Sequence, residues 1–316
     1  MEEIIYNWDG RNGPPVYAGL LYDVVIEAWI DTHKLHIADS TEYNYRKGIP
    51  RVKDYFRDVY IQELTAEMVY EFIKTLKAQA YTLASVRLYC KIVSLSIRYA
   101  HKMGYIYHNP IDGMSLSKRT RAEIHPFLES EMPLLLAQEA EQWVKDAIVI
   151  AFYTGMRPGE IFALKWSDID LEMGYIMVQR AQSRACSRVR LKEPKTSTGV
   201  RRIDIGVTLI GHLSHMERCP GNPYVFPSGD GIGYRVPWNI SKRLHRMCTD
   251  AGIPARDFRA LRHTHATVLL AHGINPKIVQ ERLGHRYVEI TLDVYSYITP
   301  TIQQEAVRVL DEIAIL

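Results

Sequence analysis

Hydrophobic residues recur at helical spacing through the first third of the chain. The clearest run alternates steps of three and four residues and comprises Leu83, Val86, Cys90, Val93, Ile97 and Ala100. Such spacing places all six side chains on one face of a helix, and Gly104 suits the position just past its end. Three shorter helices are predicted before it, around residues 20–33, 40–56 and 65–79. Thr65 can cap the last of these, so the pattern predicts a helical domain.

The pattern changes in the second half of the chain. Helical sequence runs from Glu129 to Phe152 and returns near Trp238. Between these helical parts, three short stretches predict strands, at residues 175–179, 188–191 and 200–205. The fold class predicted from this order is mainly α with a small antiparallel β-sheet.

These changes of pattern divide the chain into four segments. They are an irregular leader at 1–16, a helical domain at 17–111, a polar and basic linker at 112–126, and a mixed α/β domain with a C-terminal helix at 127–316. A length of 316 residues suits two domains better than one. Two lobes joined by a basic strap would form a clamp.

Charge is unevenly distributed along the chain. The formal net charge is only +3, but residues 180–202 carry eight cations against the single acid Glu193. The cations are Arg180, Arg184, Arg188, Arg190, Lys192, Lys195, Arg201 and Arg202. This cluster indicates a surface for a polyanion such as DNA, although a solvated charged hairpin would have the same composition.

Cysteine content and hydropathy exclude several classes of protein. The four cysteines are widely spaced and form no Cys-x-x-Cys pair, which argues against a zinc site and against a disulfide framework. The longest apolar run, from Ala147 to Tyr153, is too short to span a bilayer. The first residues lack the basic and apolar regions of a signal peptide. We therefore expect no metal, no membrane association and a location in the reducing cytoplasm.

Arg157 is the first candidate for chemistry. It precedes Pro158, and proline both disfavours the helical region for the residue before it and favours the first turn of a helix. Arg157 is therefore expected at a helix N-terminus, where its planar guanidinium could bind two phosphate oxygens. The alternative is a structural ion pair with Glu160, three residues further on.

A second candidate pair lies on a predicted helix that begins near Asp257 and ends before Gly273. Arg259 and Arg262 are three residues apart and share a helix face with His263. Because two unpaired guanidinium groups would repel each other, we expect an anion between them. Pairing with acids elsewhere in the fold is the alternative.

His285 is expected just beyond the end of another helix. Asn275 and Pro276 are suited to start that helix and Gly284 to stop it. The chain would thus direct His285 into a site, although a histidine at this position could also be a local cap.

Lys195 and Tyr295 complete the set of candidate groups. Lys195 lies beside the predicted hairpin turn, where it could protonate a leaving oxygen, and Lys192 is its rival. Tyr295 lies ten residues after His285. As one of 20 tyrosines it would not attract notice alone, and Tyr297 is a rival for the same role.

Taken together, these segments resemble the tyrosine recombinase (phage integrase) family from about residue 20 to the C-terminus. The similar motifs are Thr154-Gly155-Met156-Arg157 with Glu160, Lys195-Thr196 followed by Arg201-Arg202-Ile203, Leu283-Gly284-His285, and Thr291-Leu292-Asp293 followed by Tyr295-Ser296. One position differs from the family, because Arg259 stands where most members have histidine. Arginine cannot act as a base at physiological pH, so activation of the tyrosine is expected to differ.

The resemblance implies a helical core-type DNA-binding domain and a catalytic domain that together form a clamp around DNA. It also implies strand cleavage through a covalent 3′-phosphotyrosine. Tyr295 would be the nucleophile and Lys195 the proton donor, while Arg157, Arg262 and His285 would bind the phosphate, with Arg259 beside them. No cofactor is expected.

The expected partners are double-stranded DNA and three further copies of the chain, in a homotetramer formed by exchange of C-terminal helices, with possible accessory DNA-bending proteins. The candidate DNA contacts are Arg119, Arg121, Arg188, Arg190, Arg201, Arg202, Lys242, Arg243 and Arg246. Two alternatives stay open, a non-catalytic DNA-binding regulator and a type IB topoisomerase. Sixteen leading residues cannot form the extra arm-binding domain of many integrases, so the chain is either a two-domain recombinase or begins after that domain.

Overall fold

A computed structural model of the chain describes residues 19–114, 116, 125–185, 188–192, 199–237 and 239–292. Its described residues are mainly helical with small sheets, which confirms the predicted fold class. The chain forms two compact units, Met1–Arg121 with Arg184–Arg188, and Ala122–Ser183 with Val189–Leu316. Within the described residues no helix has the length and hydropathy needed to cross a membrane. The predicted leader, most of the predicted linker and the predicted C-terminal helix lie outside the described residues.

The first unit is built from four long helices. They are α1 (Tyr22–His33), α2 (Asp39–Tyr55), α3 (Ala66–Ala78) and α4 (Leu83–Lys102). Capping chemistry explains two of their ends: the Thr65 hydroxyl accepts a hydrogen bond from the Met68 backbone N–H at 3.2 Å, and Gly104 takes a φ of 75° just after α4. The predicted apolar face of α4 is buried from Val86 to Ala100. Leu83 is 51% exposed, because it is the first helical residue and lies beyond the packed turns.

The second unit contains eight helices among the described residues. They are α5 (Glu131–Leu136), α6 (Gln142–Thr154), α7 (Pro158–Ile161), α8 (Val207–His215), α9 (Ile240–Asp250), α10 (Arg259–Ala271), α11 (Pro276–Leu283) and α12 (Glu289–Leu292). The helical sequence predicted from Glu129 to Phe152 forms two separate helices, α5 and α6. Leu135 and Val144 are both buried, yet nine residues would place them on opposite faces of one continuous helix.

The five strands form two small sheets. They are β1 (Ile169–Asp170), β2 (Tyr175–Val178), β3 (Ala181–Ala185), β4 (Arg188–Lys192) and β5 (Arg201–Asp204). Strand β2 lies between β1 and β5, antiparallel to both, with Ile176 opposite Ile203. Strands β3 and β4 form a separate two-stranded sheet. The sequence did not predict β1, which is very short, or β3, which lacks the alternation of apolar residues.

One hydrophobic core supports the central sheet and α6, α9 and α10. Its fully buried members include Ile148 of α6, Ile176 of β2, Ile203 of β5 and Leu261 of α10. Helix α11 packs on α10 through a smaller cluster that contains Ala266, Leu270, Val279 and Leu283. The ends of α6, β5 and α11 are thereby brought together, and the candidate residues lie at these ends.

Candidate active site

Arg157 lies at the start of α7, in the turn that follows α6. Helix α6 ends at Gly155, which has a left-handed backbone (φ 65°), and Arg157 is extended (φ −72°, ψ 150°) before Pro158. Its guanidinium also pairs with Glu160, with Nη1 2.7 Å from Oε1. Both sequence interpretations thus hold at once, the helix N-terminus and the ion pair. The side chain is 45% exposed, so part of its guanidinium faces solvent.

Glu160 is a buried carboxylate between two arginines. Its side chain is 6% exposed and also pairs with Arg201, whose Nη2 lies 2.9 Å from Oε2. Its Oε2 accepts a further hydrogen bond from the Arg157 backbone N–H at 2.9 Å. Burial alone would raise the pKa of Glu160. Arg201 and then Arg157 together outweigh this effect and lower the pKa to about 2. The carboxylate therefore stays ionised at any physiological pH.

Arg262 points into the protein from α10. It is 8% exposed, and its Nη1 and Nη2 donate to the carbonyl oxygens of Gly155 and Leu283, each at 2.8 Å. Burial, followed by the charge of Arg157, lowers the pKa of Arg262 to about 9. The group is therefore still a cation at neutral pH, held by carbonyls at the ends of α6 and α11.

Three successive carbonyls at the end of α11 each accept a hydrogen bond from a different arginine. Arg201 Nε donates to the Arg282 carbonyl at 2.7 Å, Arg262 Nη2 to Leu283 at 2.8 Å and Arg157 Nη2 to Gly284 at 3.2 Å. The last carbonyls of a helix have no intrahelical partner and carry the negative end of its dipole. The end of α11 is thus a natural place to gather cations.

His285 follows directly after these carbonyls, as the sequence predicted. Asn275 caps the start of α11 and Gly284 ends it in a left-handed conformation (φ 67°). The His285 backbone N–H donates to the Gln280 carbonyl at 3.1 Å, and its Nδ1 lies 2.9 Å from Oγ1 of Thr291. Burial, and then the charges of Arg262 and Arg157, lower the pKa of His285 to about 3. His285 is therefore a neutral imidazole.

Arg259 does not share the environment of Arg262. It is exposed in the first turn of α10, where Oδ1 of Asp257 accepts from its backbone N–H at 2.8 Å. The charges that act on Arg262 are those of Arg157, Glu160 and Arg201. Buried carbonyls hold Arg262 inward while Arg259 is exposed at the surface. An anion shared by the two arginines stays a prediction.

Family models match most of the chain. The model described as the phage integrase family matches residues 125–301, and the phage integrase SAM-like domain matches residues 24–118. The chain belongs to the phage integrase family of tyrosine recombinases. This confirms the resemblance of the sequence motifs and, with it, the class of enzyme, a site-specific DNA recombinase.

Individual relatives agree with the family models. A curated protein of Caldanaerobacter subterraneus, "Tyrosine recombinase XerC-like", is 26% identical over 303 residues, which cover 87% of this chain and 77% of that protein. The Tn1549 transposon integrase, solved with transposon right end DNA, has a TM-score of 0.74 at 20% identity and covers 87% of this chain and 95% of its own. A lambda integrase tetramer bound to a Holliday junction has a TM-score of 0.69 at 19% identity, over 86% and 76% of the two chains. The two structures share the tyrosine recombinase fold.

Some candidate residues of this family member lie outside the described residues. They are Lys195, Tyr295, Arg119 and Arg121. Arg188 begins β4, where only its backbone is described. The roles of these five residues stay predictions.

The other candidate DNA contacts are exposed, with one exception. Lys242, Arg243 and Arg246 lie on the exposed side of α9, and Arg190 is exposed on β4. Two of the α9 cations have acidic neighbours, since Arg243 pairs with Glu141 and Arg246 Nε lies 3.7 Å from Oδ2 of Asp250. The roles of these exposed cations as DNA contacts stay predictions.

The exception is Arg201, and its neighbour Arg202 shows the contrast. Arg202 has 52% of its side chain exposed, pairs with Asp204 at 2.6 Å and lies 4.3 Å over the ring of Tyr175. Arg201 has only 6% of its side chain exposed, and its donors are directed to Glu160, Arg282 and Gly199. The burial of Arg201 argues against the predicted DNA contact, and it follows because successive residues of a strand face opposite sides.

Sequence reasoning also missed groups that support the site. The sequence indicates Glu160 as a partner of Arg157 and as part of its motif, but its capping-box position three residues after Arg157 was not recognised. His265 is 5% exposed; its Nε2 accepts from Arg282 Nε at 3.1 Å and its Nδ1 bonds the Phe152 carbonyl at 2.7 Å. No local signal marked His265. Among the described residues, no group of three or more histidines, cysteines or acids is placed to hold a metal ion.

Proposed function

We propose that this protein cuts and rejoins DNA at specific sites through a covalent 3′-phosphotyrosine, with Tyr295 as the nucleophile. One observation carries the proposal. Arg157, Arg262 and His285 meet at the C-terminal end of α11 in a chain of the tyrosine recombinase family. Two cations beside one neutral imidazole are suited to a phosphodiester, because they stabilise the charge that develops on its non-bridging oxygens.

The reaction consists of two transfers of one phosphoryl group. The phenol oxygen of Tyr295 attacks the scissile phosphorus, the bond to the 5′ oxygen breaks, and Lys195 gives a proton to that leaving oxygen. A 5′ hydroxyl of the same or a partner strand then attacks the phosphotyrosine and releases Tyr295. The phosphodiester energy is kept in the covalent bond, so the reaction needs no external energy source.

The described residues have distinct parts in this reaction. Arg157, which is 45% exposed, binds the phosphate from the protein surface, while the buried Arg262 adds a second positive charge from the interior. His285 is neutral and acts as a hydrogen-bond donor. Since its Nδ1 faces the Thr291 hydroxyl at 2.9 Å, the donor toward the phosphate is Nε2–H, and the hydroxyl donates to Nδ1.

Arg259 stands where the family usually has a histidine, which acts as general base or hydrogen-bond donor, so we propose that Tyr295 loses its proton differently. A phenol has an unperturbed pKa of about 10. A guanidinium near the phenol favours the ionised form, and Arg259 is exposed on the first turn of α10. We propose that Arg259 lowers the pKa of Tyr295 electrostatically, and that the proton passes to solvent.

DNA binding is proposed to use the exposed cations Arg190, Arg202, Lys242, Arg243 and Arg246. Exchange between two duplexes requires four strand cleavages, and hence four active sites. A tetramer joined by C-terminal helices meets this need, and the lambda integrase tetramer on a Holliday junction supports it. Accessory DNA-bending proteins would assist the assembly.

Covalent trapping tests the proposal against both alternatives. A target is selected by binding from a random duplex library, and a nicked form that loses its 5′ end after cleavage is incubated with wild type and with Tyr295→Phe. Denaturing electrophoresis should show an adduct with wild type only, on the selected site only. Adducts on every duplex, with relaxation of plasmids that lack the site, would indicate a topoisomerase. Salt-sensitive binding without any adduct would indicate a regulator.

A further inference from the structure

Arg201 is a buried arginine for which the proposed chemistry has no direct use. It begins β5, and its side chain and that of Glu160 are each 6% exposed. A cation at this depth needs a partner, and Arg201 has three, on different parts of the chain. Its position therefore connects elements that are distant in sequence.

The first partner is Glu160, which both arginines share. Nη2 of Arg201 donates to Oε2 at 2.9 Å and Nη1 to Oε1 at 3.3 Å. The same two oxygens accept from Arg157, Oε1 from Nη1 at 2.7 Å and Oε2 from the backbone N–H at 2.9 Å. Any rotation of the Glu160 carboxylate would thus move Arg157.

The other two partners are backbone carbonyls. Nε of Arg201 donates to the Arg282 carbonyl at 2.7 Å, the first of the three carbonyls at the end of α11. Nη1 also lies 3.4 Å from the carbonyl of Gly199, four residues after Lys195 in the chain. One planar guanidinium thus spans α7, the end of α11 and the start of β5, which the single charge of a lysine cannot do.

We propose that Arg201 is a positioning residue that fixes Arg157 and the end of α11 without touching DNA. This inference rests on the proposed recombinase chemistry. If Arg201 were removed, the buried Glu160 carboxylate would keep one cation, Arg157, and would no longer be fixed from its other side. Arg157 would keep its charge near the phosphate but lose its fixed orientation. The turn that carries His285 would at the same time lose a hydrogen bond.

Arg202 provides a matched comparison one residue away. Its side chain is 52% exposed, and it is proposed above to contact the DNA backbone. An arginine that neutralises a phosphate contributes about 0.9 to the slope of log K against log salt concentration. A residue that acts only through Glu160 and α11 contributes nothing to that slope, although it affects the chemical step.

The test compares Arg201→Gln and Arg201→Lys with Arg202→Gln and Arg202→Lys in the full chain. Salt dependence of binding and the single-turnover rate of adduct formation at saturating DNA are measured on the nicked substrate. Arg202→Gln should lower the salt slope by about 0.9, and this fall is the reference against which the slopes of the Arg201 variants are compared. Both Arg201 variants should keep the slope and lose about 10²-fold in rate, as expected for misplaced groups.

Two results would overturn the inference. One is a fall of the salt slope in the Arg201 variants equal to that in Arg202→Gln, and the other is an adduct rate equal to wild type. If Arg201→Gln does not fold, as judged by circular dichroism, Arg201→Lys decides, because lysine still neutralises Glu160. If wild type itself forms no adduct, the proposed function fails, and this inference fails with it.

Discussion

Replacement of Gly155 by alanine should damage both the fold and the position of Arg262. Gly155 ends α6 with a φ of 65°, so any side chain there is strained by about 1–2 kcal/mol. An added Cβ would also lie 2.5 Å from Cδ2 of Leu283 and 2.6 Å from Cδ2 of His265. The His265 ring cannot retreat without breaking its hydrogen bonds to Phe152 and Arg282. Such overpacking costs about 1–3 kcal/mol more.

Gly273 supplies the control for this substitution. It follows α10 with a φ of 74°, and a Cβ there would meet nothing within 4 Å. Gly273→Ala therefore carries the backbone strain without the collision. In urea unfolding, Gly155→Ala should lose about 1–3 kcal/mol more than Gly273→Ala. Equal losses in the two variants would refute the close packing inferred at Gly155.

The same substitution should also affect catalysis. Arg262 is held by the carbonyls of Gly155 and Leu283, and the collision displaces both residues. We therefore expect Gly155→Ala to slow adduct formation at saturating DNA by about 10-fold or more, since displacement of a catalytic group by 1 Å can cost about 10²-fold. Gly273→Ala should retain the rate. A wild-type rate in folded Gly155→Ala would refute the role assigned to these two carbonyls.

Three further predictions concern single groups. Thr291→Val removes the hydroxyl that bonds His285 Nδ1 and should slow adduct formation, while Thr291→Ser should not; equal rates in the two variants would contradict the tautomer assigned. Burial and then Arg282 lower the pKa of His265 from 6.5 to about 4, so the unfolded chain binds the proton more tightly, and stability falls as pH falls between these two values. When the pH is lowered from 7 to 5, the free energy of unfolding of His265→Gln, measured in urea, should fall by about 2 kcal/mol less than that of wild type. An equal fall in the two proteins would refute this. Arg259→His should shift the pH profile of adduct formation on the nicked substrate between pH 6 and 9, and identical profiles would exclude Arg259 from activation of Tyr295.

Short-range sequence signals predicted where two site residues lie relative to the ends of their helices. Proline after Arg157, asparagine before α11 with proline as its first residue, and glycine before His285 all act on the backbone within a few residues. Their effects on the backbone could therefore be read without the fold. The predicted positions of Arg157 and His285 relative to their helices agree with the structure for this reason.

Long-range contacts could not be predicted in the same way. Arg262 ends between carbonyls of α6 and α11, and neither partner is near it in sequence. The sequence showed only that Arg259 and Arg262 share a helix face. Which of them turns inward depends on the unpaired carbonyls nearby, and these are positioned by the packing of three helices.

The burial of Arg201 is a different case, because a signal was present. Arg201, Ile203 and Ile205 alternate along the strand, and the period of two places all three on one face. Since the isoleucines must face the core, Arg201 faces it as well. The whole residue, backbone included, is only 8% exposed. The density of positive charge in this segment favoured DNA contacts for every cation and hid the alternation.

Identification of the modified residue tests the central claim most directly. The trapped adduct is digested with nuclease and protease, and the peptide that carries the residual nucleotide is sequenced by mass spectrometry. The account predicts a 3′-phosphonucleotide on Tyr295, with none on the neighbouring Tyr297. A nucleotide on Tyr297 or on any other residue would contradict the account, as would the absence of a covalent nucleotide from wild type at its selected site.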